Sequence, residues 1–368
     1  MRIGINALYL IPGGVGGTET YLRALLAALA EIDSGNEYFV FTNRETGPDL
    51  VPRQDNFHYQ PQDVRAVNRP ARLVREQTAL PLAAKRLSLD VLFNPGFTSP
   101  IVCPCPQVTV FHDLQHKRHP EYFRWFDLPA WNFFLFWSAR VAKVILADSD
   151  ATAVDLDRYY GAGRKVRTVP LGVAPKFFAI AARRVPEPFL LGVSTLHPHK
   201  NLDGLLRAFA MFREQRPEYR LVVTGLHGFF TDHLQALRSE LGLAASVEFP
   251  GWIPEADLLD LYARANAFVY PSRFEGFGLP ILEALAAGVP SACSRVEPMD
   301  SNAAGAALKF DPDNVSEMAG CIERLVTDAE LRAHLTAEGP RRAAQFTWQA
   351  TARATLDALS SACRKSIA

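Results

Sequence analysis

The run Tyr270-Pro271-Ser272-Arg273-Phe274-Glu275-Gly276-Phe277-Gly278-Leu279-Pro280-Ile281-Leu282-Glu283-Ala284-Leu285-Ala286-Ala287-Gly288 reads as the end of a strand, a glycine-bearing turn and the start of a helix. Pro280 suits the first helical turn, where its missing N–H removes no hydrogen bond. Gly276 and Gly278 let the backbone approach a ligand closely. The free N–H groups and dipole of such a turn face an anion, for instance a diphosphate. Glu275 and Glu283 stand eight positions apart, one on the loop and the other about one helical turn into the helix, so both can point into the same cleft. Two carboxylates beside a phosphate site are expected to bind hydroxyls.

Working outward, the same strand–turn–helix alternation runs the length of the chain, which predicts an α/β protein of parallel sheets covered by helices on both faces. Strands are expected at 2–9, 37–42, 89–93, 107–111, 143–147 and 166–169, and a second series at 189–193, 219–224, 246–249, 267–270, 290–293 and 306–310. The segment 179–188 between the series has two prolines and neither helical nor strand period, and is read as a linker. The expected organisation is therefore a first domain at 1–178, the linker, a second domain at 189–346, and a helix within 347–368 able to return to the first domain. Each domain is of doubly wound size, and ligands of such sheets bind outside the carboxyl ends of the strands. The active site is expected in the cleft between the domains. Leu202, Leu205, Leu206, Phe209 and Phe212 repeat at helical spacing behind Asn201, a good N-cap residue.

Composition fits this organisation. At about 150 residues per domain, 368 residues make roughly two and a half units. Lys and Arg (39) balance Asp and Glu (39), with 48% hydrophobic and 21% charged residues, which excludes disorder and bulk nucleic-acid binding. The first residues read as a strand entering a glycine-rich loop without a signal-peptide cleavage site, so secretion is not expected. The apolar stretch 133–147 is interrupted by Arg140 and Lys143 and is too short to span a bilayer. Five cysteines, with Cys103-Pro104-Cys105 too tightly spaced for a zinc knuckle or redox pair, are read as reduced structural thiols in a cytoplasm.

The core Glu-Gly-Phe-Gly-Leu-Pro between Glu275 and Glu283 resembles the retaining glycosyltransferases of family 4, which carry Glu-x7-Glu in this context. The resemblance covers nearly the whole chain and implies the GT-B fold: two Rossmann-like doubly wound domains facing across a cleft. It implies that Glu275 holds the donor sugar, that Glu283 holds the ribose of its nucleotide, and that Gly276, Phe277, Gly278 and Leu279 form the donor turn. Lys200, just before a helix start in Gly192-Val193-Ser194-Thr195-Leu196-His197-Pro198-His199-Lys200-Asn201-Leu202, would meet the diphosphate. Where the family carries further basic groups around this lysine, the chain has His199, Ser194 and Thr195, leaving His197 or His199 as auxiliary phosphate ligands. The loop Gly13-Gly14-Val15-Gly16-Gly17-Thr18-Glu19-Thr20-Tyr21 matches the family's loop over the diphosphate, with Gly16 and Gly17 at its turn; as a dinucleotide loop it lacks the third glycine of G-x-G-x-x-G. His112, delivered by the strand 107–111, takes the position of the family's active-site histidine.

The implied activity is retaining hexosyl transfer from a nucleotide diphosphate sugar to a glycan or lipid-linked glycan. The overall run looks most like bacterial mannosyltransferases of polysaccharide assembly, which favours GDP-mannose; a UDP-sugar stays open because no residue by its chemistry separates guanine from uracil. A nucleotide-sugar epimerase or phosphorylase of the same fold, or a non-catalytic nucleotide-sugar sensor, would be the other classes. No cofactor and no metal is expected. His112, His116 and His119 are irregularly spaced beside Pro120, and Asp148-Ser149-Asp150, Asp155-Leu156-Asp157 and Asp311-Pro312-Asp313 all fit the D-x-D pattern, so that pattern discriminates nothing. Two features point to peripheral contact with an anionic membrane at its cytoplasmic face. Residues 64–86 hold Arg65, Arg69, Arg72, Arg75, Lys85 and Arg86 against Glu76, and residues 123–137 hold eight aromatic side chains. The first three arginines share a face only if the helix extends past Pro70.

Overall fold

A computed structural model describes residues 1–364; residues 365–368, the end of the 347–368 segment, lie outside the described part. The chain forms two compact units, one of residues 1–172 together with the segment from Trp348 onward, the other Val173–Thr347.

The first unit is a parallel sheet of seven strands: β1 (Arg2–Asn6), β2 (Glu37–Thr42), β3 (Phe57–Pro61), β4 (Val91–Asn94), β5 (Gln107–Phe111), β6 (Val144–Ala147) and β7 (Val166–Thr168). Their order is β3-β2-β1-β4-β5-β6-β7. A sheet covered on both faces selects unbroken apolar strands, and Val144-Ile145-Leu146-Ala147 is buried throughout. The helix Trp348–Cys363 belongs to this unit. Its Thr351 Oγ1 donates to the Pro170 carbonyl at 2.7 Å, and the Trp348 and Tyr21 rings lie 6.1 Å apart.

The second unit is a parallel sheet of six strands: β8 (Phe189–Val193), β9 (Arg220–Thr224), β10 (Val247–Gly251), β11 (Ala267–Tyr270), β12 (Ser291–Ser294) and β13 (Leu308–Phe310). Their order is β10-β9-β8-β11-β12-β13. The helix Leu202–Arg213 buries the whole expected stripe of Leu202, Leu205, Leu206, Phe209 and Phe212, each such side chain contributing about 1.5–3 kcal/mol.

Four details depart from the sequence expectations. β1 ends at Asn6 and not at residue 9, because the Asn6 Oδ1 accepts the Leu8 N–H at 3.4 Å and turns the chain. β3 was not expected: it is an edge strand, alternately buried and exposed and closed by Pro61, so it lacks the apolar run of its neighbours. The segment 179–188 packs within the second unit, where the Arg184 guanidinium donates to the Gly288 and Ala265 carbonyls. The helix at 64–86 begins only at Arg69, with Asn68 as its cap and Pro70 in its first turn. Arg65 therefore precedes the helix and pairs with Glu45 at 3.4 Å, and the three arginines do not share a helical face.

Candidate active site

The site residues singled out in the sequence lie at or after the carboxyl ends of the strands in each unit. In the second unit β8 and β11 are neighbours, while β9 and β10 continue to one side and β12 and β13 to the other. The loops leaving β8 and β11 thus sit at the topological switch point, where ligands of such sheets bind. One loop is 194–201 and the other 271–278, the two segments singled out in the sequence.

Backbone and side-chain bonds lash these loops together. The Arg273 N–H donates to the His199 carbonyl at 2.8 Å. Asn201 holds a left-handed conformation (φ 53°) and makes no capping bond, contrary to the expectation; its amide donates instead to the Pro271 carbonyl at 3.0 Å and the Pro312 carbonyl at 2.7 Å. Within this frame the Lys200 ammonium donates to Glu275 Oε1 at 2.7 Å, with the two side chains only 13% and 10% exposed. The same ammonium lies 5.8 Å from the centre of the Tyr270 ring. Burial, reinforced by the Glu275 charge, keeps the Tyr270 hydroxyl protonated far above its ordinary range.

The turn that follows is fixed by its backbone and by a bond from Asn302. Gly278 caps the helix Leu279–Ala286 at φ 86°, a conformation that only glycine adopts freely, and the Asn302 amide donates to the Phe277 carbonyl at 2.7 Å. Glu283, on that helix, accepts from the Tyr262 hydroxyl at 3.2 Å. Burial pushes its carboxyl up to about 7. Lys200 and Glu275 are thus brought into direct contact, whereas Glu283 is engaged with Tyr262, a partner the sequence did not signal. His197 packs edge-on to Phe229 at 5.1 Å and 5.9 Å from the His199 ring; burial and the nearby Lys200 charge lower its pKa and keep it neutral.

In the first unit His112 follows β5 directly and is buried. Its Nδ1 is 2.7 Å from Asp148 Oδ2, at the end of β6, and its Nε2 is 2.9 Å from the Pro95 carbonyl, after β4. Both partners are acceptors, an arrangement that suits an imidazolium donating from both nitrogens. Burial by itself would depress the pKa, but the Asp148 charge and hydrogen bond and the Pro95 carbonyl outweigh it and the pKa is raised. Tyr21 and Phe97 pack edge-on against the ring at 4.9 and 5.1 Å. Asp148 was noted in the sequence only for its D-x-D pattern; its contact with His112 is visible only when β5 and β6 pair.

Gly16 (φ 58°) precedes the helix Gly17–Ile32, and the Glu19 carboxylate accepts the Gly13 N–H at 2.7 Å to brace the loop. A Cβ at Gly17 would meet nothing within 4 Å and its φ is ordinary, so no contact within the chain demands glycine there; the close approach of a ligand would.

The other candidate metal residues disperse. His116 Nε2 pairs with the Tyr160 hydroxyl at 2.8 Å and His119 with Glu121 at 3.0 Å. Among the described residues no group of three His, Cys, Asp or Glu could hold a metal ion, all five thiols are free, and no helix is long and apolar enough to cross a membrane.

Residues 15–177 match the model of Glycosyltransferase Family 4 and residues 174–342 that of Glycosyl transferases group 1. The chain is 34% identical over 263 residues to the O-antigen chain mannosyltransferase B of Escherichia coli, covering 68% of this chain and 69% of that protein. It is 25% identical over 343 residues to the serotype-specific mannosyltransferase WbdA of the same species, covering 84% of this chain but only 42% of that longer protein. Among solved structures, the sucrose-phosphate synthase of Thermosynechococcus elongatus superposes with a TM-score of 0.79 at 22% identity, covering 98% of both chains, a likeness of GT-B fold. Two parallel doubly wound sheets, both family models and a relative matched over two thirds of its length agree: the chain belongs to glycosyltransferase family 4, a family of retaining hexosyltransferases.

Proposed function

We propose that this enzyme transfers a mannosyl residue from GDP-mannose to a hydroxyl of a glycan or lipid-linked glycan, with retention at the anomeric carbon and without a metal ion. The observation that carries the reading is the Lys200–Glu275 pair at the switch point, with Glu283 on the adjoining helix. The names of the O-antigen relatives support mannose as the sugar.

In this reading the donor diphosphate displaces Glu275 from Lys200. The ammonium then meets phosphate oxygens, Glu275 is freed to accept the sugar hydroxyls, and Glu283 accepts the ribose hydroxyls. The N–H groups at Gly278–Leu279 face the diphosphate, with His197, kept neutral, and His199 as its auxiliary ligands, and Gly16 and Gly17 are read as a further donor-binding turn. The bond from the anomeric carbon to the diphosphate breaks with its electron pair going to the phosphate oxygen. The acceptor oxygen attacks the same face and its proton passes to a donor phosphate oxygen. The protein supplies no nucleophile; Lys200 and the turn N–H groups stabilise the departing diphosphate, and His112 acts beside the sugar as a fixed positive charge whose two N–H groups stay on Asp148 and Pro95.

The test is thermal unfolding of the purified chain with GDP and with UDP, without added metal. A ligand at 100 times its Kd adds about 2.7 kcal/mol of stability. Selective stabilisation by GDP is expected. Selective stabilisation by UDP would replace the donor with a UDP-sugar, and no response to either would remove the donor assignment from this site.

A further inference from the structure

The first unit has a face that neither the donor nor the acceptor chemistry uses. The helix Leu128–Val141 buries Leu135, Ser138 and Ala139 and turns its aromatic side outward. Phe133 (51% exposed), Phe136 (45%) and Trp137 (36%) recur at helical spacing, and Trp125 (79%) and Phe126 (56%) extend the stripe ahead of the helix. This inverts the usual pattern of a surface helix, whose apolar side faces the core. The helix carries a single charged side chain, Arg140, in its last turn.

Arg140 also lines a pocket of about 580 Å³ with Lys143, Lys165 and Arg364, a lining that contains no acidic side chain among the described residues. The pocket lies at the amino ends of β6 and β7, the edge of the sheet opposite His112. Lys165 donates to the Arg140 carbonyl at 2.7 Å, and burial, followed by the charges of Arg140 and Lys143, lowers its pKa. Phe136, Arg140 and Lys165 line one small cleft, so the aromatic stripe and the basic pocket are continuous.

We propose that this continuous face docks the enzyme on an anionic lipid surface, the aromatic rings entering the headgroup boundary and the basic pocket receiving lipid phosphate. Charge complementarity selects the occupant: aromatic rings with Arg140, Lys143, Lys165 and Arg364 outnumbering the one carboxylate of the segment, Asp127, fit a sheet of phosphates over hydrocarbon, where Trp and Arg partition favourably. The surface stands whichever nucleotide sugar the enzyme uses, and of the two segments singled out in the sequence it rests on the aromatic one, extended to the basic residues at its end.

The experiment is flotation of the full chain with vesicles of phosphatidylcholine and of phosphatidylcholine mixed with phosphatidylglycerol, at low and high salt. Wild type is expected to float with the anionic vesicles at low salt and to remain behind with the neutral ones. The double variants Phe133→Ser/Trp137→Ser and Arg140→Glu/Lys143→Glu, all exposed positions, are each expected to lose about tenfold in partition with unchanged thermal unfolding. Absence of flotation by wild type at low salt, or equal flotation by both variants, overturns the proposal. So does a wild-type dimer in sedimentation equilibrium that dissociates in Phe133→Ser/Trp137→Ser, which would make the face a contact between copies of this chain.

Discussion

The polar centre of the first unit and that of the second are built on opposite plans. His112 has both ring nitrogens committed to acceptors of its own unit, at 2.7 and 2.9 Å, so its position and charge are set before any ligand arrives. Lys200 and Glu275 instead satisfy each other, at 2.7 Å, through groups that a diphosphate and a sugar hydroxyl could equally satisfy. One centre is fixed and the other exchanges partners. The difference separates positioning from binding, and it yields variants that affect one without the other.

The largest effects are expected from deleting either centre. His112→Ala and Glu275→Ala should each lower kcat by about 10²–10³, the usual loss when a preorganised polar contact to the transition state is removed. The comparison then predicts a split. Glu275→Ala should also strengthen stabilisation by GDP, because Lys200 no longer has to leave a carboxylate partner to meet the diphosphate, whereas His112→Ala should leave it unchanged; an equal response of nucleotide binding in both would erase the distinction. Amide variants sharpen it further. Asp148→Asn should lower kcat by about tenfold or more while leaving nucleotide stabilisation intact, because His112 loses the charge that holds its proton.

The linkage has a definite sign. A histidine whose pKa is raised on folding adds stability that is fully present below its unfolded value of about 6.5 and is lost as pH rises through the folded value. The stability gap between wild type and Asp148→Asn should therefore be wide below pH 6.5 and narrow in alkaline solution. A gap independent of pH would mean that Asp148 only packs against the ring.

Much of this was legible in the sequence because the strands are short apolar blocks and the site residues sit at their carboxyl ends. Lys200, Glu275, Gly278 and His112 all occupy positions that a strand–loop–helix reading locates. What escaped the sequence depends on which strands become neighbours. Asp148 reaches His112 only because β5 and β6 pair, and the Glu76 carboxylate reaches Asn6 at 3.3 Å and Thr98 at 2.9 Å only because β1 and β4 meet. Tyr262 escaped for a similar reason, being a core tyrosine whose hydroxyl finds Glu283 across two helices. Asn201 was read as a cap from its residue type, but its amide serves two distant carbonyls that no local pattern announces.

The smallest expected effect is the most specific probe of the exchanging centre. Glu283 has its carboxyl pushed up to about 7 by burial, with the Tyr262 hydroxyl and Lys176 opposing that shift. The stability tied to its bound proton is present below the unfolded carboxyl range and is lost as pH rises through about 7. A ribose bound through two hydroxyls requires the ionised form, so the affinity for GDP should rise by a few fold between pH 6 and 8 and then level, with proton release on binding. Glu283→Gln should bind more weakly at pH 8, lose that pH dependence, and unfold at a higher temperature than wild type above pH 7, since no buried charge forms. Calorimetric titration of both proteins in buffers of different ionisation enthalpy measures the released proton directly. Wild-type binding that is flat across this range and releases no proton would take Glu283 out of the nucleotide site and leave Lys200 and Glu275 to hold the donor by the diphosphate and sugar alone.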